Sequence, residues 1–265
     1  MSRRALAALA LVAAVAAPAA AEEVKTIPTR PGVTQSFILL RPSETPVASV
    51  ILFAGGNGAL GLGPDGRMAS LGGNFLVRNR ARFAEAHGFM VAVPDAPSDH
   101  ADGLSRFRAS REHAEDIRAL IATLRATAPA PVWLIGTSMG TVSAANGAAR
   151  LSRESGPDGL VLTSTITRWN KREGESVSDV KLRDIAIPTL VVHHREDACP
   201  FTPFADIPGL VRDLSKAPRR ELIAFEGGAP PQSGPCEARA AHGYLGLDAQ
   251  VVKAIADWIK ATPRP

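Results

Sequence analysis

Residues 136–140 read Gly-Thr-Ser-Met-Gly, set between the apolar run at 132–135 and the small-residue run at 141–150. A serine hydroxyl becomes a nucleophile when a base takes its proton and a carboxylate orients that base. A sharp strand-to-helix turn holds such a serine up at the end of a sheet. The turn forces its central residue into a strained backbone conformation, and glycine on either side removes side chains that would meet the neighbouring strand and helix. The N–H of Met139 then faces the same space from a helix N-terminus, where it can hold a developing oxyanion.

The base and the acid must come from further along the chain. The apolar run IPTLVVHH (187–194) is followed by REDACP, which places Asp197 just past a strand's C-terminal end. RRELIAFEG (219–227) is followed by a loop carrying CEARAAHGY, which places His242 past the next strand. Open parallel sheets assemble their sites at those ends. Three rivals stand beside these two. Glu196 adjoins Asp197 but should point another way, Asp184 precedes its strand and should lie at the opposite end, and His100 follows an earlier strand in PDAPSDH. Chain order favours Ser138, Asp197, His242.

The elements that position these residues alternate along the chain. VTQSFILLRP (33–42), VASVILFAGG (47–56), FMVAVPD (89–95), PVWLIG (131–136), GLVLTST (159–165), IPTLVVHH and RRELIAFEG read as strands. Residues 74–87 suit a helix stopped by Gly88, residues 110–129 a helix capped by Ser110 and halted at Pro129, and residues 248–261 a closing amphipathic helix. The stretch 59–73 reads as a glycine-rich surface loop. Strands apolar on both faces that alternate with helices predict an α/β fold, a mainly parallel sheet flanked by helices on both faces.

With GTSMG, HHREDACP, AHGY and VILFAGGNG, the chain resembles the α/β-hydrolase fold superfamily, close to small exported serine hydrolases of the esterase kind, over nearly all of residues 22–265. The resemblance implies a triad of Ser138, Asp197 and His242, an acyl-enzyme on the serine, and no cofactor. VILFAGGNG corresponds to the strand and turn that supply the second oxyanion donor. Ala54-Gly55 stands there in place of the usual His-Gly, which leaves that donor between Gly56 and Asn57, with the N–H of Gly56 favoured. The family commonly inserts a lid between residues 165 and 187. Here the insertion is short, with Trp169 as a candidate substrate-binding wall and Arg168, Lys171 and Arg172 as charges that would meet an anionic substrate or simply face solvent.

Cys199 and Cys236, the only cysteines, lie two residues after the acid and six before the base. They are expected to form a disulfide that pins the two loops together, with loop closure contributing about 3–4 kcal/mol.

Residues 1–21 place Arg3 and Arg4 before an apolar stretch and end in Ala19-Ala20-Ala21, the pattern of a secretory signal peptide cut after Ala21. The expected mature chain is a single domain from residue 22 to 265, exported to the periplasm or secreted, with no membrane span. Its removal takes two arginines and no acid from a net charge of +4, leaving +2. A near-neutral chain with scattered basic residues gives no footprint for nucleic acid.

His193 and His194 alternate across a strand and cannot easily grip one ion, so no metal is expected. GLGPDG (61–66) matches the spacing of a dinucleotide loop. It does not directly follow a strand, however, Pro64 lacks an N–H, and Asp65 would repel a pyrophosphate. The expected function is hydrolysis of an acyl bond in a small molecule, a carboxylic ester first. A thioesterase, peptidase or acyltransferase on the same triad and a non-catalytic binding module of the same fold are the alternatives.

Overall fold

Val50 and Leu52 send their side chains to one side of the sheet and Ile51 and Phe53 to the other, yet all four are buried. That is the signature of a strand covered on both faces. The computed structural model describes residues 22–43, 45–169, 171 and 174–263. The expected signal peptide and Arg172 lie outside the described residues.

Eight strands form one sheet: β1 (Glu22–Arg30), β2 (Val33–Leu40), β3 (Ser49–Phe53), β4 (Met90–Pro97), β5 (Val132–Thr137), β6 (Gly159–Thr163), β7 (Thr189–His194) and β8 (Arg220–Phe225). Their spatial order is β1-β2-β4-β3-β5-β6-β7-β8. The first two join antiparallel, and the ladder from β4 through β8 is parallel. The C-terminal ends of β3, β5, β6, β7 and β8 therefore lie along one rim, which is where the chemistry-bearing residues were expected.

Helices cover both faces. On one, α2 (Arg111–Thr127), α3 (Gly140–Arg150) and α4 (Ile207–Asp213) pack Ile117, Leu120, Ile121, Val142, Ala145 and Leu210 against Ile51, Phe53, Leu134 and Leu162. On the other, α1 (Phe75–Arg78) and α5 (Asp248–Lys260) pack Phe75, Leu76, Val251, Ile255 and Trp258 against Val50, Leu52, Ile135 and Val192. Ser110 caps α2 by accepting the N–H of His113 at 3.0 Å, as its position predicted. No helix among the described residues is long and apolar enough to cross a membrane.

Two local expectations are corrected. The helix foreseen over 74–87 breaks into α1 and a π-helical turn at Arg82–Ala86, although it does stop at Gly88. The buried Asn79 side chain at the break donates both to Phe75 O at 2.8 Å and to Asp248 Oδ1 at 2.6 Å. The stretch 59–73 is not simply a surface loop. Leu60 is fully buried, and the Asp95 carboxylate at the end of β4 accepts the N–H groups of Leu60 at 2.6 Å and Leu62 at 2.7 Å.

The insertion between β6 and β7 packs as two short 3-10 turns, Val177–Asp179 and Leu182–Asp184. Val177, Leu182 and Ile185 join the core on the α3 side.

Candidate active site

Ser138 occupies the junction of β5 and α3 with a φ of 52°. This left-handed conformation costs a non-glycine residue on the order of 1–3 kcal/mol and persists only where the surroundings hold it. They do so closely. A Cβ on Gly136 would meet the Gly140 backbone and, at 2.7 Å, Thr141 Cα, while one on Gly140 would meet the carbonyls of Phe53 and Ala54. Both glycines are thus required by close approach, as GTSMG implied. A Cβ on Gly55 would lie 2.9 Å from Ser138 Cβ, so the end of β3 also presses against the serine. Ser138 itself is half-buried.

His242 lies in a 3-10 turn, Ala241–Gly243, and its Nδ1 donates to Asp197 Oδ2 at 2.9 Å. That bond puts the proton on Nδ1 and leaves the Nε2 lone pair available as a base. The Asp197 carboxylate also accepts the Thr202 hydroxyl at 2.8 Å on Oδ2 and the Cys199 N–H at 3.0 Å on Oδ1. Burial acts to raise the Asp197 carboxyl, but the bond to His242 and its charge, with the Cys199 and Thr202 donors, outweigh it and hold the group below the ordinary carboxylate range.

The loop that carries His242 is tied to the end of β6. Ser138 N–H donates to Thr163 O at 3.0 Å, and the next residue, Ser164, donates its hydroxyl to His242 O at 2.7 Å. Tyr244 is fully buried; its hydroxyl donates to Val192 O at 2.9 Å and accepts the Ser164 N–H at 3.1 Å. Arg78 of α1 adds donations to Ala238 O at 3.2 Å and Gly243 O at 2.5 Å. Cys199 and Cys236 are joined by a disulfide, with sulfurs 2.05 Å apart, so the loops bearing Asp197 and His242 are also linked covalently.

At the turn expected to supply the second oxyanion donor, Gly56 is exposed with a φ of 58°. Asn57 is fixed by its own side chain, which donates to Asp102 O at 3.2 Å and accepts the Ala59 N–H at 3.3 Å. Among the described residues, no group accepts the N–H of Met139, Gly56 or Asn57.

The rivals fall elsewhere. Glu196 is exposed and turned toward the Gly227 N–H at 3.4 Å, and Asp184 pairs with Lys216 at 3.0 Å. His100 stacks on Phe107 at a centroid distance of 3.6 Å. His193 Nε2 donates to Thr202 O at 2.8 Å, whereas His194 Nε2 donates to Gly227 O at 3.0 Å and its Nδ1 accepts the Glu196 N–H. The two imidazoles serve different loops, and no group of three potential metal ligands occurs among the described residues.

In GLGPDG, the Gly61 N–H already faces Asp95 Oδ1 at 3.3 Å and the Gly63 N–H donates to Arg67 O, leaving no open cradle for a phosphate. Trp169 is 53 % exposed, beside Arg168, whose guanidinium is paired with Asp206 at 2.9 Å.

Sequence reading missed Thr202, Ser164 and Tyr244. Tyr244 stands in AHGY but reads there only as a neighbour of His242, Thr202 and Ser164 belong to no recognisable spacing, and each acts through partners 5 to 80 residues away.

No protein-family model and no curated protein sequence matches the chain. Solved structures do resemble it. An α/β serine hydrolase without a lid from Xanthomonas campestris is 18 % identical with a TM-score of 0.59, over 91 % of this chain and 97 % of that one. An esterase from Pyrococcus furiosus is 12 % identical with a TM-score of 0.66, over 91 % of each chain. A soluble variant of a monoglyceride lipase from Saccharomyces cerevisiae, in complex with a substrate analog, is 10 % identical with a TM-score of 0.63, over 94 % of this chain and 99 % of that one. At these identities the likeness is one of fold, and the chain has the α/β-hydrolase fold.

Proposed function

We propose that this protein is a serine hydrolase that cleaves a carboxylic ester of a small molecule through an acyl-enzyme on Ser138. The observation that carries the reading is the hydrogen-bonded Asp197–His242 pair, anchored through Ser164 to the same strand end that holds the left-handed Ser138. The esterases among the structures of like fold agree with it.

In this mechanism His242 Nε2 takes the Ser138 proton as Oγ attacks the ester carbonyl, and Asp197 stabilises the imidazolium so formed. The oxyanion is held by the N–H of Met139 at the start of α3 and by the N–H of Gly56, with Asn57 beside it. Collapse expels the alcohol, which takes its proton from His242. The same imidazole then activates water, and attack on the acyl-enzyme releases the acid and restores the serine. The route uses the protein's own side chains, its backbone N–H groups and water. Trp169, exposed on the loop after β6, serves as a wall of the acyl or alcohol site. The disulfide and the amino-terminal pattern support export of a single domain, residues 22–265, after cleavage at Ala21.

The test is labelling by a fluorophosphonate together with turnover of p-nitrophenyl esters of graded chain length, thioesters and peptide amides. Wild type should label and hydrolyse esters fastest, and Ser138→Ala should lose both. Folded wild type that neither labels nor turns over any of these compounds would mean a binding module instead.

A further inference from the structure

Resting on that reading, we propose that Arg108 is a positioning residue that holds the oxyanion loop in its working shape. The residue is almost completely buried, at 1 % exposure, and its guanidinium faces two backbone carbonyls and a serine hydroxyl. Nη2 donates to Gly56 O at 3.0 Å and to Ala54 O at 3.3 Å, and Nη1 donates to the Ser143 hydroxyl at 2.8 Å. One side chain thus spans the end of β3 and the second turn of α3.

The loop needs such a brace. Gly55 and Gly56 are the two most permissive residues available, and between them lies the peptide whose N–H is assigned to the oxyanion. An oxyanion site lowers a barrier only if its donors are already aimed before charge develops. Peptide units are planar, so fixing the carbonyls of Ala54 and Gly56 fixes the two units that flank the Gly55–Gly56 peptide. The third bond, to Ser143, ties that frame to the helix whose first turn presents the Met139 N–H. Both donors are therefore referred to one rigid group. Arginine alone has the planar fork for this, because an ammonium is a point donor on a flexible stem.

The surroundings are built to admit it. A Cβ on Gly58, which has a φ of 80°, would lie 2.5 Å from Arg108 Nη2 and 2.8 Å from Leu104 Cδ1. The Glu175 carboxylate, from the insertion between β6 and β7, accepts the N–H groups of Arg108 at 3.2 Å and Ala109 at 2.9 Å. That insertion is therefore fastened to the segment that carries the brace.

The experiment measures kcat and KM on a p-nitrophenyl ester for Arg108→Lys, Arg108→Gln and Ser143→Ala, each rate divided by the concentration of sites titrated with a fluorophosphonate. Normalising in this way removes losses caused by misfolding. The arginine variants should lose about a hundredfold in kcat per titrated site, the scale of one oxyanion donor, with KM within about threefold. Arg108→Lys should not restore the rate, although it keeps the charge. Ser143→Ala, which removes one anchor and buries no new charge, should lose several-fold in kcat and provides the reading if the arginine variants do not fold. Rates per site within about threefold of wild type in every folded variant would overturn the assignment, as would full rescue by lysine. A wild type with no ester turnover would instead defeat the reading of Ser138 itself.

Discussion

Ser164 donates its hydroxyl to the carbonyl oxygen of His242 at 2.7 Å from a backbone with a φ of 45°. Residues 78 apart in sequence are thereby fixed at the point where Thr163 receives the Ser138 N–H. Ser138 and His242, the proposed nucleophile and base, are thus held by two successive residues of one strand end.

Removing the Ser164 hydroxyl should loosen the base without touching substrate. Ser164→Ala is expected to lower kcat about tenfold with KM little changed. Tyr244→Phe removes one of the two acceptors of the buried Ser164 N–H, which keeps Val192 O at 3.1 Å, and one donor to that carbonyl, and should in addition cost about 1 kcal/mol of stability. Steady-state kinetics with urea unfolding checks both, and an unaltered kcat in Ser164→Ala would contradict the proposed anchoring.

Gly140→Ala separates helix propensity from packing. Alanine favours a helix by about 1 kcal/mol over glycine, yet a Cβ here would meet the backbone of β3. We expect net destabilisation of about 1–3 kcal/mol, the range for overpacked sites. A higher melting temperature would show that β3 yields.

The double variant Cys199→Ser/Cys236→Ser should lose up to about 3–4 kcal/mol, since the bond closes a span of 37 residues. Asp197 accepts the N–H of Cys199, so activity should fall as well, by roughly tenfold at a temperature where the variant is folded. Melting curves with and without a thiol reductant, compared with ester turnover, test the two effects separately.

His113 sets an acid limit. Its ring is fully buried with no hydrogen-bond partner for either nitrogen among the described residues, and burial first, then the charge of Arg108, lowers it to about 3. Below the unfolded value near 6.5 the unfolded chain takes up a proton that the folded chain refuses. Stability is therefore unaffected above that pH, falls as pH drops below it, and stops falling near 3. The loss should reach about 2 kcal/mol by pH 5. His113→Phe should flatten this part of the stability curve in urea titrations at pH 7 and pH 5, and an unchanged slope would assign the proton uptake elsewhere.

The rim residues were legible because each follows a short run rich in apolar and β-branched residues: β5 and β7 are buried throughout, while β8, an edge strand with no buried residue, still shows the apolar run LIAF. Asp197 and His242 could be placed at strand ends without knowing what surrounds them. The edge strand β1 was not legible, because EEVKTIPTR has no buried residue, carries Pro28, and pairs only with β2. The helix α4 was missed because Pro208 and Gly209 interrupt its apolar spacing. Arg108 and Tyr244 escaped for a different reason. Their roles are defined by partners 35 to 80 residues distant, and no local pattern distinguishes an arginine that braces a loop from one that faces water.

The left-handed backbone at residue 138 sets two demands against each other. Glycine would relax there and lose the hydroxyl in the same step, so Ser138→Gly should melt above wild type while turning over nothing. On the proposed mechanism, selection on heat resistance alone would drift toward such a silent protein, and only a need for turnover would keep a serine in that turn.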